Sequence, residues 1–452
     1  MDKIKPLLRQ VPWRWVLYWL LIPNAAIVLM WFVGGPPMDV ELAIFAAVAL
    51  GVAQASSTWA KRVVLFVMIA ELNYLYVCAM FNLAPGNWSM LPGFIREVQP
   101  LRSPEYLLAA GVFVAVAIVA LVMAPRVPRF RGPLPYLFGI VFVAALAGTD
   151  YEATAATRGS YREVPAPGAL YTSATVQAGV EQPRPDKRNL VVIVVEALGA
   201  PTDRVGQTLF AADWNRPGWR ARYDVEHGQV PFYGSTTNGE LRELCNKWGN
   251  YTDFDFAGTD CLPKRYLRAG YQTIAYHGFA KLMFERDHWF PKMGIRHLAF
   301  GEELLDQGLS ICPGVFPGAC DTDIAPVIAT RLKQAAQPQF VYWMTLNSHL
   351  PVLKNHALGT ADCKLGTREW ADAHPQVCRL FLVHHRLADA IDALAMEPDL
   401  PPTDFVIVGD HVPPFFDRTS RSLFDPADVP WIGLHYRGPP APARGQVAAN
   451  IR

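Results

Sequence analysis

Asn189-Leu190-Val191-Val192-Ile193-Val194-Val195 runs directly into Glu196. The six residues before Glu196 are all apolar, and they lack the alternation of a strand with one wet face. Such a run reads as a strand buried on both sides, the kind found in parallel sheets covered by helices. A carboxylate at its carboxyl end is costly to bury without a partner; a metal ion would supply one, as would a helix cap or a salt bridge. Similar apolar strands are predicted at 273–276, 340–346, 405–408 and 431–435, with helical patterns at 239–247, 322–336 and 377–395. The alternation predicts an α/β domain with a largely parallel sheet, whose site should gather at the carboxyl ends of the strands.

Upstream of this domain the solvent changes. The chain of 452 residues is 51% hydrophobic and 18% charged, with 41 basic against 40 acidic residues. The balance removes the electrostatic case for nucleic-acid binding. The charge deficit is concentrated in the first 150 residues, where five apolar runs at 13–34, 40–56, 63–83, 106–124 and 134–147 are read as membrane spans. The third contains Glu71 and Asn73; an intramembrane Glu is often functional, and an inter-helix polar contact is the alternative. Lys3, Lys5, Arg9, Arg14, Lys61, Arg62, Arg126, Arg129 and Arg131 fall on one side of these spans, which places the N-terminus in the cytoplasm and the region after about residue 150 outside. The first run is too long, and lacks the small-residue site, for a cleaved signal peptide. The expected organisation is a five-helix transmembrane domain over 1–148, a partly interfacial connector rich in Ala, Thr, Pro and Gly over 149–188, and a catalytic domain over 189–452.

The cysteines agree with an outside location. Cys245, Cys261, Cys312, Cys320, Cys363 and Cys378 lie in the second domain, and Cys78 lies in a predicted span. Six cysteines allow fifteen pairings, but their spacing suggests three local loops, 245 with 261, 312 with 320 and 363 with 378. An oxidising compartment favours disulfides. A zinc cluster is the competing reading, and no CxxC pair supports it.

Other strand ends carry chemistry as well. The 405–408 strand leads into Gly409-Asp410-His411, and an adjacent Asp and His can both ligate one divalent cation. In Gly234-Ser235-Thr236-Thr237-Asn238-Gly239-Glu240 hydroxyl residues precede a helix, where the dipole and free N–H groups favour a phosphate. A metal contact would let Thr236 act as a nucleophile, with Thr237 and Glu240 forming a capping box. The 340–346 strand leads to His349, placed to protonate a leaving group or hold a phosphoryl oxygen. His277 ends another strand and is a candidate neighbour of the site, whereas His384 and His385 sit in a helical pattern that suggests surface or packing roles.

These fragments, in this order, resemble the membrane-bound branch of the alkaline phosphatase superfamily: lipoteichoic acid synthases and related sulfatase-domain phosphotransferases, with lipid A phosphoethanolamine transferases as cousins. The resemblance implies an alkaline phosphatase/sulfatase-like extracytoplasmic domain. It implies that Glu196, Thr236, Asp410 and His411 hold one divalent metal ion, zinc or manganese, and that Thr236 and His349 are catalytic. It also implies that Arg286, Phe284 and His349 contact substrate, although Phe284 stands where the family has Trp and Asn238 where it has Asp. The Gly-Glu-Thr and Asp-His-Gly-Glu signatures of the phosphoethanolamine transferases are replaced by Val195-Glu196-Ala197 and Asp410-His411-Val412-Pro413, which leaves the head group open.

The implied function is transfer of a phospholipid head group, phosphoethanolamine or phosphoglycerol, to a periplasmic or cell-surface glycan through a phosphothreonine intermediate. The expected setting is a bacterial inner membrane, multi-pass, with the catalytic domain in the periplasm, acting as a monomer with a phospholipid donor and a surface glycan acceptor. A sulfatase would need a Cys/Ser-x-Pro-x-Arg segment, which Thr236-Thr-Asn-Gly-Glu240 does not supply. A membrane-anchored phosphodiesterase or hydrolase, and a non-catalytic sensor or assembly protein, are the alternative readings.

Overall fold

The computed structural model describes residues 10–32, 35–81, 83, 85–86, 92, 95, 104–157, 161, 164–169, 171–415 and 417–438. The chain divides into two compact units: Met1–Glu163 with Pro414–Arg421, and Val164–Pro413 with Ser422–Arg452.

The first unit is helical. Among the described residues, three helices are long and apolar enough to cross a membrane: Thr58–Met80, Leu107–Arg126 and Leu134–Ala153. The first predicted span is instead broken into a π-helical turn, Val16–Leu21, and a short helix, Ala25–Met30. Pro23 lies between them and has no N–H to continue the ladder, while Asn24 Nδ2 donates to Leu20 O at 2.6 Å. The second predicted span forms the helix Asp39–Val52, 14 residues long; at about 1.5 Å per residue it rises about 21 Å, short of a hydrocarbon core of about 30 Å. Leu134–Ala153 runs past residue 148, into the stretch read as connector. Asp150 on its last turns is fully buried and accepts from Trp31 Nε1 at 2.7 Å and from the Met38 N–H at 2.8 Å, so its burial is compensated. Glu71 is half-buried, and Asn73 donates to Ile69 O one turn back.

The second unit is an α/β domain. Its sheet contains β1 (Asn189–Val195), β2 (Tyr223–Pro231), β3 (Gln272–His277), β4 (His297–Ala299), β7 (Gln339–Met344), β8 (Thr403–Gly409) and β9 (Asp428–Tyr436), in the order β2-β9-β8-β1-β7-β3-β4; β5 (Ile311–Cys312) and β6 (Gly318–Ala319) form a separate hairpin. Strands β8, β1, β7, β3 and β4 are parallel, and β9 and β2 continue the sheet antiparallel. The five strands read from the sequence are present with shifted ends. The unforeseen β2 follows from its composition, since Asp224, Glu226, His227 and Gln229 make an edge strand look like a loop.

Every residue of β1 is buried. Val191, Ile193 and Val195 pack with Ile324, Ile328 and Leu332 of the helix Asp321–Gln334 and with Leu387, Ile391 and Leu394 of the helix Pro375–Ala395. Each such side chain contributes about 1.5–3 kcal/mol, and the stiff β-branched residues suit a pleated surface. Disulfides join Cys245 to Cys261, Cys312 to Cys320 and Cys363 to Cys378; Cys78 is free and buried.

Candidate active site

Strand register builds the site. Strands β1 and β8 are parallel neighbours in which Val195 lies opposite Gly409. The next residue on each, Glu196 and Asp410, therefore emerges side by side at the carboxyl end of the sheet. Asp410 Oδ1 locks this placement by accepting from the Ala197 N–H at 2.8 Å and the His411 N–H at 2.7 Å.

Thr236 enters from the helix Thr236–Cys245, of which it is the first residue. Its hydroxyl lies 3.3 Å from Glu196 Oε2 and 3.3 Å from His411 Nε2. The capping differs from the sequence expectation. Ser235 is the N-cap, and Asn238 closes the box, its Oδ1 accepting the Ser235 N–H at 2.9 Å. Thr237 and Glu240 do not form it, because the helix begins two residues earlier and Glu240 is engaged elsewhere. The Asn238 side chain is acceptor and donor at once: besides the cap, its Nδ2 donates to Gly249 O at 2.7 Å.

Donor atoms and acceptor atoms do not balance here. His411 Nδ1 lies 3.0 Å from the Val412 carbonyl, which can only accept, so Nδ1 carries the proton and Nε2 presents a lone pair. That lone pair faces Asp410 Oδ2 at 3.2 Å and Glu196 Oε1 at 3.5 Å. Asp410 Oδ2 is buried without a hydrogen-bond partner. Burial, reinforced by the Asp410 charge, pushes the Glu196 carboxyl well above the ordinary range. One ligand atom from each of Glu196, Asp410 and His411 falls within 4.8 Å of the other two. A protonated side chain would relieve one of these contacts; a divalent cation satisfies all the acceptors at once, and oxygen with imidazole suits zinc or manganese. The residues therefore fit a metal ion.

His349 is half-buried, with Nδ1 2.8 Å from Leu350 O and its ring edge-on to Phe316 at 4.5 Å. Burial, with the neighbouring His411, pushes its pKa down to about 4. The imidazole is therefore neutral near pH 7, with its Nε2 free to accept; a donor role would require prior protonation. Arg286 is buried, its Nε 3.1–3.2 Å from both Glu240 oxygens and its Nη2 3.1 Å from Glu240 Oε2. Tyr342 donates to the same carboxylate at 3.0 Å. The half-buried Phe284 has φ 56°, in the left-handed region, and its ring lies 5.1 Å below the Arg286 guanidinium.

Several supporting residues were not read from the sequence. Thr345 Oγ1 accepts the Glu196 N–H at 2.9 Å, and Ser348 Oγ donates to the Glu196 carbonyl at 2.7 Å. His384, expected to pack or face solvent, is buried with Nε2 3.2 Å from that same carbonyl. Asp321 accepts the N–H groups of Leu346 and Asn347 at 2.7–3.1 Å and so holds the loop that carries His349. Thr345 and Ser348 adjoin His349 in sequence, which was a usable signal; His384 and Asp321 had none. His277 is buried against Met344 O, and burial with the charge of Arg286 takes its pKa down to about 3.

The sulfatase family model matches residues 232–436. The match includes Thr236, Arg286, His349, Asp410 and His411, while Glu196 lies N-terminal to it. No curated protein matches the chain in sequence. Among solved structures, the chain is similar to the integral membrane lipooligosaccharide phosphoethanolamine transferase EptA of Neisseria meningitidis (13% identity, 92% of this chain and 88% of that one, TM-score 0.43). It is also similar to the phosphoglycerol transferase GacH of Streptococcus pyogenes, solved with sn-glycerol-1-phosphate (14% identity, 57% and 72%, TM-score 0.41). A protein of the alkaline phosphatase superfamily from Vibrio parahaemolyticus is similar at 15% identity and TM-score 0.40 over 55% of this chain; the matched region spans 60% of that protein's length.

Proposed function

We propose that this protein is a metal-dependent transferase that moves a phospholipid head group, phosphoethanolamine or phosphoglycerol, to a periplasmic or cell-surface glycan. The observation that carries the reading is the Thr236 hydroxyl at the first turn of a helix, 3.3 Å from both Glu196 and His411, beside the unpartnered Asp410 Oδ2. Glu196, Thr236, Asp410 and His411 hold one zinc or manganese ion. Bound there, the ion lowers the pKa of the hydroxyl and offsets charge on phosphorus.

Thr236 Oγ attacks the head-group phosphorus, with its proton directed to Glu196 Oε2. The phosphorus–oxygen bond to diacylglycerol breaks, leaving a phosphothreonine. The N-terminal N–H groups of the helix favour the anionic phosphate. Once protonated beside the bound anion, His349 donates through Nε2 to a phosphoryl oxygen or to the departing diacylglycerol oxygen. An acceptor hydroxyl then attacks the phosphothreonine and regenerates Thr236. Arg286 and Phe284 border the head group.

Five spans over residues 1–148, counting the broken first run and the short Asp39–Val52 helix with the three long ones, a connector over 149–188 and a catalytic domain over 189–452 complete the reading. The chain is multi-pass in a bacterial inner membrane with the catalytic domain in the periplasm, working as a monomer on a lipid donor. The long apolar helices support it, because the donor is itself a component of the bilayer.

The test uses full-length protein in detergent with zinc or manganese and, separately, phosphatidylethanolamine or phosphatidylglycerol. Mass spectrometry of the Thr236 peptide should show a gain of about 123 or about 154 mass units for the covalent phosphoethanolamine or phosphoglycerol adduct. Thr236→Ala should show neither, and should release no diacylglycerol. Lipid turnover that survives Thr236→Ala would sink the reading.

A further inference from the structure

Glu196, Asp410 and His411 bring their acceptor atoms together at one point, so something other than the ion must hold them in place before it binds. The backbone turn Gly409-Asp410-His411 is held from the helix that carries Thr236. Arg242, on that helix and fully buried, donates through Nη2 to Gly409 O at 2.5 Å and through Nη1 to Asp410 O at 3.3 Å and Pro231 O at 3.3 Å. Its Nε bonds Glu243 Oε1 at 2.6 Å. Glu243 is buried too; its Oε2 accepts the Thr175 N–H at 3.2 Å, and its carbonyl accepts the Thr175 hydroxyl at 2.8 Å.

Gly239 supplies a second, independent observation one turn earlier on the same helix. A Cβ there would stand 2.9 Å from Asp410 O and 3.0 Å from Asp410 Cα. The helix therefore approaches the ligand turn so closely that no side chain fits, and three residues on the Arg242 guanidinium grips the same turn by its carbonyls.

We infer that Arg242 is the positioning residue of the metal site, setting Asp410 and His411 against Glu196 and Thr236 before any cation binds. This rests on the metal-site reading above. The role is geometric: a planar fork of five donors spans three carbonyls, which a lysine ammonium cannot do, although it keeps the charge. Glu243 and Thr175 orient the fork.

Titration of full-length protein with Zn²⁺ or Mn²⁺ tests this, alongside the melting temperature and circular dichroism of the metal-free protein. Arg242→Lys should weaken binding at least tenfold while keeping the native circular dichroism. Gly239→Ala should also weaken it, even though alanine is the better helix former. Asp404→Asn, a buried-charge control at the far end of β8, should lower the melting temperature and leave metal affinity unchanged. Native affinity in folded Arg242→Lys would overturn the inference alone, as would an equal loss of affinity in Asp404→Asn. If Arg242→Lys fails to fold, Gly239→Ala decides: native affinity there overturns the inference. A wild-type protein that binds neither ion would overturn the metal-site reading and this inference together.

Discussion

The two ends of β8 carry the same residue in opposite circumstances. Asp404, near its start, is buried; its Oδ1 accepts from Arg188 Nη1 at 3.2 Å and from the Tyr436 N–H at 2.8 Å, while its Oδ2 forms an ion pair with Arg184, 3.2 Å from Nε. Asp410, just past its end, is equally buried, yet its Oδ2 finds no donor and faces a histidine lone pair and a second carboxylate. One end is balanced by arginines, as a structural charge must be. The other is left short of positive charge, and that shortage is what supports the proposed cation site there.

The largest effect that can break this contrast is metal removal. Chelation should cut head-group transfer by at least about a thousandfold, the scale on which an activating metal and a nucleophile act together, and added zinc or manganese should restore it. The same addition, at a hundred times its dissociation constant, should stabilise the protein by about 2.7 kcal/mol. Full activity in chelator, measured by diacylglycerol release, would remove the distinction between the two ends.

Exchanging each aspartate for asparagine sharpens it. In metal-free protein, Asp404→Asn should cost about 1–2 kcal/mol, since it removes the counter-charge of the partly exposed Arg184 and one of the two carboxylates that Arg188 pairs with. Asp410→Asn should be neutral or stabilising by up to about 1 kcal/mol, because the amide keeps an acceptor and gives His411 Nε2 the donor it lacks. Denaturant melts of the two variants would show this difference in sign. Equal destabilisation would mean that the acceptor excess at the Asp410 end has no energetic consequence.

A smaller effect is expected one layer away. Ser348→Ala removes the hydrogen bond to the Glu196 carbonyl and should cost about 1 kcal/mol. Metal affinity should fall only a few-fold, because Thr345 and His384 still hold the Glu196 peptide. A loss as large as that from deleting a ligand would make Ser348 part of the metal site itself.

How far the site was legible depended on sequence distance. Glu196, Asp410 and His411 each follow directly on an apolar strand, and an ionisable group in that position announces itself by its burial cost. Thr236 was legible because hydroxyls at a helix start are a local pattern. The cap was misread because Ser235, Thr236 and Thr237 offer three consecutive candidates, and only the backbone shows which one stands outside the helix. Arg286 carried a sequence signal, but its partner Glu240 is 46 positions away. His384 lies 188 positions from the carbonyl it meets, and nothing local in a helix marks such an encounter. The membrane runs show the same division: composition locates apolar segments, whereas the break at Pro23 and the 14-residue length of Asp39–Val52 emerged only in the folded chain.

The sequence by itself determined an α/β domain with buried parallel strands, an apolar helical region before it and the strand ends where ionisable groups collect, and it suggested, without fixing, the three local cysteine pairs that the structure joins. These follow from burial energy and local backbone preference, which act over a few residues. Tertiary structure alone decided that Val195 stands opposite Gly409, that Arg242 reaches the ligand turn, and that one aspartate of β8 meets arginines while the other meets lone pairs. Those outcomes depend on strand register and on long-range approach, which no window of sequence encodes.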